Sequence, residues 1–251
     1  MADPECGMKD IGEKMQTFWE DLVFDFNQTF IEADRWKALL GGIGMTLELT
    51  AFALMIGIVL GVLVAVVRSS YDQITESGKK NGALKVLNAI CNLYLTVIRG
   101  TPVMVQLMIM YFVVLASTTN KVVVGALTFG INSGAYVAEI IRSGIMSIDK
   151  GQAEASRSLG LNYAQTMRFV IIPQAIKNIL PALGNEFIAL IKETAIVNII
   201  GIKDITKWAM NVQGRTYQAF MPFIGIAIVY LFFVLLITKL IRMLERKLRN
   251  E

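Results

Sequence analysis

Apolar residues run along this chain in long blocks rather than in alternation. From Ile43 to Val67 the single charge is Glu48 and there is no proline. Gly100 to Asn120 carries no charge, and neither do Val122 to Ala138 or Thr216 to Thr238. The third of these blocks continues past Glu139 to Ile145. A further block, Ile179 to Ile202, is apolar but holds Glu186, Lys192 and Glu193. About 20 predominantly apolar residues cross the hydrocarbon core as a helix. The blocks therefore predict an all-α membrane protein with five transmembrane helices, at about 39–67, 100–117, 122–146, 179–202 and 218–241.

Two segments outside the blocks are also patterned. Residues 1–36 hold nine acids and are not a span. Within them Phe18, Trp19, Leu22, Phe26, Phe30 and Ile31 recur at helical spacing, which predicts an amphipathic helix. It fits either the outer membrane surface, with Trp19 and Trp36 as interfacial anchors, or a seat on the protein itself. Residues 83–98 read as an interfacial helix running into Arg99-Gly100-Thr101-Pro102. Proline removes a backbone donor and disfavours helix at Thr101, so a break is expected there. It is either packed inside a bundle or a simple kink at the start of the span.

Composition agrees with a membrane protein: 55% of residues are hydrophobic and 18% charged, against about 45–50% and 25% in soluble domains. The chain has no His, which excludes a Ser-His-Asp triad, a Cys-His dyad and any zinc site with His ligands. No metal site is expected. Cys6 and Cys91 cannot form a disulfide framework, and Cys6 lacks the flanks of a lipoprotein cleavage site. The chain start has no signal-peptide pattern, so the N-terminus is expected to be retained.

The small net charge of +4 matters less than its distribution. Fourteen Lys and Arg fall in 68–85, 142–177 and 239–249, and eight in the segments on the other side. The positive-inside rule puts the N-terminus outside, the C-terminus in the cytoplasm, and residues 147–178 in a cytoplasmic loop.

That loop carries most of the information. Asp149 with Gln152 reads as a capping box, Asn162 with Gln165 as a second and looser one. Gly160 suits the left-handed position that ends a helix. Two short helices meeting near Gly160 are expected, with Pro173 interrupting the second. Small residues Ala153, Ala155 and Ser156 let the first helix enter a groove closely, so docking to a soluble partner is the simplest role.

Glu154-Ala155-Ser156, Gly160 six residues after Glu154, and Pro173 thirteen beyond that resemble the Glu-Ala-Ala…Gly…Ile-x-Leu-Pro loop of bacterial ABC importer permeases. Ser156 stands for the second Ala, Val170 for the Ile and Ile172 for the Leu. Further stretches are similar to the polar amino-acid uptake branch, the histidine, glutamine and arginine permeases. They are Arg99-Gly100-Thr101-Pro102, Ala135 to Ile145, Gly151-Gln152, Pro173-Gln174-Ala175, Leu180 to Asn185, and Lys192-Glu193-Thr194. The resemblance spans roughly 38–245 and leaves the N-terminal 36 residues outside.

The resemblance implies a type I ABC importer permease fold over 37–251, preceded by an extracytoplasmic or interfacial segment 1–36. It implies a bacterial inner-membrane protein that pairs with a second permease chain, identical or paralogous. Two separate ATP-binding subunits would sit beneath, and an extracytoplasmic solute-binding protein would deliver the amino acid. ATP and Mg would belong to the partner, because no Gly-x-x-x-x-Gly-Lys-Ser/Thr loop exists here. The chain would be no enzyme and would bind no nucleic acid. Docking to the ATPase would fall to Gly151, Gln152, Glu154, Ala155, Ser156, Arg157 and Gly160.

Ionisable residues inside spans face a cavity or a partner. Asn185, Glu186, Glu193 and Thr194, with Asn132, could offer an amino acid an acceptor for its ammonium and donors for its carboxylate. They could equally satisfy one another or the broken backbone near Arg99. Gly57 and Gly61 offer a close-packing motif, or face lipid. An intramembrane protease is disfavoured, since no span holds an Asp and no His base exists. A stand-alone channel or secondary transporter is the alternative reading.

Overall fold

The computed structural model describes residues 17, 19–76 and 81–250. Readings that touch 1–16, Phe18 or 77–80, including Cys6, Lys79 and Lys80, lie outside the described residues. Among the described residues every regular element is helical. A first helix, α1, covers residues 19–26 and widens into a π-turn at Asn27–Ile31. Then come α2 (Arg35–Glu76), α3 (Gly82–Gly100) and α4 (Val103–Ile109, widening over Met110–Val114). The long α5 is Lys121–Met146; α6 (Lys150–Ser158) and α7 (Tyr163–Thr166, with a π-turn at Met167–Ile171) follow it. The chain ends with α8 (Ile172–Glu193, tightening into a 3-10 turn at Thr194–Ile200), α9 (Ile205–Thr216) and α10 (Phe220–Asn250).

Three helical stretches are long and apolar enough to cross a membrane, within Trp19–Asp72, Lys121–Met146 and Phe220–Leu248. The bent pair Gly82–Gly100 and Val103–Val114, whose axes meet at 107°, is a broken span or a re-entrant loop, and counts as a fourth crossing if it is one span. The expected span at 179–202 is helical but starts earlier, at Ile172, and leaves α-geometry after Glu193. Its Glu186, Lys192 and Glu193 give it more charge than the first span, where Glu48 stands alone between Ile43 and Val67.

Pro102 makes the bend. It caps α4 in extended geometry, and Thr101 before it is extended as well. From Val103 to Val114 the helix rises only about 18 Å, short of the roughly 30 Å hydrocarbon core. On its own α4 is too short to cross, and at 107° to it α3 runs across the direction of α4 rather than extending it, as an interfacial helix would, with one face packed on α5. Tyr94 donates its hydroxyl to the Ile131 carbonyl at 2.6 Å, and Leu95 is buried with Ala135 and Ala138 of α5. Pro173 does interrupt the α-geometry: α7 widens into the π-turn at Met167–Ile171 directly before it, and α8 resumes with Pro173 in its first turn.

Helices α2 and α5 form the centre. Gly57 sits against Ser133, Gly61 against Val137, Gly130 against Ile56 and Gly134 against Leu60. Numbers rise together along both helices, so the pair is parallel, as first and third crossings must be. The Gly57–Gly61 motif thus packs inside the chain rather than facing lipid. A β-carbon on Gly61 would lie 2.5 Å from Val137 Cγ1. Gly61→Leu is expected to destabilise the fold by about 1–3 kcal/mol through overpacking. Thermal unfolding in detergent reads this; an unchanged midpoint would show the contact to be dispensable. Beside the pair lies a core of Leu49, Ala53, Leu107, Phe129, Leu190 and Val197.

The N-terminal arm turns into α2 through Ala33 and Asp34, both at positive φ. Its C-terminal end sits on the protein. Phe30 stacks on Trp208 of α9 at 5.5 Å and lies against Gly225 of α10. Gln218 donates to Asp25 at 2.5 Å, and Trp208 donates its indole N–H to the Arg35 carbonyl at 2.8 Å. Trp19, Val23, Phe24 and Trp36 remain exposed. Asp204 caps α9 by accepting from the backbone N–H groups of Thr206 and Lys207. Burial pushes its carboxyl up from the ordinary range against the pull of those donors.

Candidate functional site

The loop between α5 and α8 is an ordered helical hairpin. Asp149 caps α6 by accepting from Gly151 N–H at 2.7 Å. Gln152 does not close that cap into a box; its side-chain oxygen faces Gln174 at 3.5 Å. The reciprocal box forms at α7, where Asn162 accepts from Gln165 N–H at 3.0 Å and Gln165 accepts from Asn162 N–H at 2.9 Å. Gly160 ends α6 at φ +83°. Its N–H meets the Arg157 carbonyl and the Leu161 N–H meets the Ser156 carbonyl, the double bond of a Schellman motif. Asn178 donates to the Ser147 hydroxyl at 2.7 Å, closing the base of the hairpin across α5 and α8.

Six of the seven expected docking residues are exposed: Gly151, Gln152, Glu154, Ala155, Arg157 and Gly160. Ser156 is buried, with its hydroxyl on the Gln152 carbonyl at 2.7 Å. It fastens α6 to the hairpin instead of facing outward. Leu159, beside Gly160, is 83% exposed. Sequence reading passed over it, although a leucine just before a helix-ending glycine cannot point back into its own helix.

The polar groups at membrane depth divide into two sets. Asn132 is buried and donates to the Gln106 side-chain oxygen at 3.0 Å. Gln106 in turn donates to the Ile98 carbonyl at 2.8 Å, the Thr101 carbonyl at 3.1 Å and the Thr101 hydroxyl at 2.8 Å. This clamp satisfies backbone freed by the break, so Asn132 is committed to structure. Gln106 was not singled out from sequence; a glutamine four residues after Pro102 in an apolar span was the available signal. In the second set Ser133 donates to Glu186 at 2.7 Å, joining α5 to α8. Glu193 is half-buried, Asn185 exposed, and Thr194 fully buried with its hydroxyl on its own helix at Ile191. Only Glu186 among these reaches across to another helix.

Helices that bury glycine and polar contacts at membrane depth, with a capped hairpin held between α5 and α8, define a polytopic membrane protein with a rigid extramembrane loop. The chain belongs to the family described as binding-protein-dependent transport system inner membrane component, which its residues 57–250 match. A relative in Rickettsia bellii, named for glutamine transport as a permease, is 40% identical over 207 residues, covering 81% of this chain and 89% of its own. The arginine transport system permease protein ArtQ of Bacillus subtilis is 36% identical over 216 residues, covering 85% and 93%. A solved structure described as an amino acid ABC transporter with histidines matches at TM-score 0.76 and 43% identity, covering 84% of this chain and 94% of that one. The methionine transporter MetNI in an inward-facing form matches at TM-score 0.70 and 22% identity, a likeness of fold.

Proposed function

We propose that this chain is the permease subunit of an ATP-driven importer of polar amino acids in a bacterial inner membrane. Family membership and the relatives named for glutamine and arginine transport support this reading. The observation that carries it is the α6–α7 hairpin. It is fixed by two caps, a Schellman stop and the Asn178–Ser147 bond, and it turns six polar or small residues outward. A loop that merely joined two spans would not need that rigidity.

In this reading the hairpin rests in a groove on a separate ATPase, which holds ATP and Mg. Glu154, Ala155, Arg157 and Leu159 meet the groove, and Ser156 holds the helix from behind. ATP favours the closed pair of ATPase subunits, and that preference tilts the spans through the hairpin. A second permease chain completes the path, a solute-binding protein delivers the amino acid from outside, and the C-terminus lies in the cytoplasm. Residues 19–36 form an extracytoplasmic strap whose exposed Trp19 and Trp36 meet the lipid interface.

Co-expression of the chain with the ATPase and binding protein of its system tests this. The ATPase is expected to co-purify, and proteoliposomes are expected to take up glutamine or arginine only with ATP on the hairpin side. Uptake by the chain alone without nucleotide would point to the channel or secondary-transporter reading.

A further inference from the structure

An open cleft of about 610 Å³ lies where α2, α3 and α5 meet, lined by Arg68, Asn92, Thr96, Arg99, Tyr136 and Glu139. Its charges do not cancel. Glu139 is already engaged: it accepts from Arg142 at 2.8 Å and lies 3.7 Å from Arg68. Arg99 lies over the Tyr136 ring at 5.5 Å, and among the described residues no carboxylate pairs with it. Asp72, one turn beyond Arg68 on α2, is within electrostatic reach of Arg142 but outside the lining. Even with Asp72 counted, the three arginines leave the cleft positive. Glu139 holds Arg68 and Arg142 in place and is not left for a cation, so the donors that remain select an anion.

The cleft stands at the edge of the membrane. Arg68 follows directly on the apolar block Ile43 to Val67. Glu139 lies about 27 Å along α5 from Lys121 by helical rise, against a hydrocarbon core of roughly 30 Å. Both put the cleft at headgroup level, in the leaflet nearer the α6–α7 hairpin. The sequence of α3 suits that boundary. Lys85, Asn88, Asn92, Thr96 and Arg99 recur along one stripe at three- and four-residue spacing. Beside it Val86, Ile90, Leu93 and Val97 form an exposed apolar stripe. On α2, Leu63 and Val66 are exposed shortly before Arg68.

Charge and apolar surface together define the ligand. A guanidinium binds a phosphate through two parallel hydrogen bonds, and basic pockets between spans take anionic headgroups. A free phosphate would use the arginines and leave the apolar stripe bare, whereas a lipid uses both. We propose that this cleft binds an anionic phospholipid, its phosphate on Arg68 and Arg99 and its acyl chains along Leu93 and Val97. Asn92 and Thr96 offer neutral polar groups to the rest of the headgroup. Gly100, in the lining, has nothing within 4 Å of where a β-carbon would stand, which keeps the entrance wide. A lipid seated there bridges α2, α3 and α5 beside the break at Thr101 and Pro102. A zwitterionic lipid brings an ammonium that the positive lining repels.

Native mass spectrometry of the permease–ATPase complex, released from nanodiscs of equal phosphatidylglycerol and phosphatidylethanolamine, tests it. The unaltered complex is expected to carry phosphatidylglycerol, and Arg99→Gln to carry about tenfold less, the scale of a lost charge-assisted hydrogen bond. Glu139→Gln, which removes a negative charge, is expected to carry at least as much as the unaltered complex. Where a variant fails to assemble, phosphatidylglycerol with a photoreactive acyl chain is applied to the unaltered complex and is expected to label α3 around Leu93 and Val97. Equal retention by the unaltered and Arg99→Gln complexes would overturn the proposal. So would labelling that passes over α3, or equal labelling there by a phosphatidylethanolamine probe. Release of the lipid by millimolar inorganic phosphate would assign the arginines to a free anion and overturn it as well.

Discussion

Gly160→Val is expected to leave the chain in the membrane but to cut ATP-driven uptake by about tenfold or more. Gly160 ends α6 at φ +83°, and its N–H and that of Leu161 close the Schellman motif. A β-branched residue at positive φ costs roughly 1–3 kcal/mol in strain. That strain is relieved by unwinding the end of α6, which moves Leu159 and Arg157 off the presented surface. The site is far from the buried α2–α5 contacts, and nothing lies within 4 Å of a β-carbon placed there. The loss is therefore conformational and not a clash. The ratio of ATP hydrolysed to glutamine moved is expected to rise. Gly160→Asn should retain most of the coupling, because asparagine tolerates the left-handed region. Normal coupling in Gly160→Val would remove the hairpin from the force path.

The second large effect belongs to Gln106. Its amide serves two carbonyls and one hydroxyl at the break and accepts from Asn132. Gln106→Leu would strand the Ile98 and Thr101 carbonyls and the Asn132 amide together. Each buried group left without a partner costs about 1–3 kcal/mol, so a total of roughly 2–4 kcal/mol is expected after local relaxation. Unfolding in a detergent and denaturant series measures this. Adding Asn132→Leu removes one stranded group and should recover part of the loss. If the double variant were less stable than Gln106→Leu alone, Asn132 would have a role other than serving the break.

Much of this was legible in the chain because its signals are local. Proline at 102 marks the break, alternation of long apolar blocks marks α2, α5 and α10, and Gly160 marks the end of α6. The Asn162–Gln165 box and the Asp149 cap were legible too, but their relative quality was not. Which cap closes depends on whether Gln152 finds Gln174, 22 residues away. The same limit explains Asn132, whose partner lies 26 residues upstream, and Ser133, whose partner Glu186 lies 53 residues downstream. A polar residue in a span announces that it needs company, but not whose. Ser156 shares its small size with Ala153 and Ala155, and which of the three is buried depends on how α6 packs on the turn at Met167–Ile171. The arm's seat on Trp208 was likewise hidden, since Phe30 and Trp208 are far apart along the sequence.

The glycine contacts between α2 and α5 have a mechanical consequence. Val137 sits over Gly61 and Ile56 over Gly130, both of them stiff β-branched side chains seated in the glycine notches. For one helix to slide along the other, a branched side chain would have to climb out of a notch that has no room beside it. The two rods must travel together as a single beam. Any tilt imparted at the hairpin end of α5 then has to be absorbed by their neighbours, at the break of Thr101 and Pro102 and along the seam with α8.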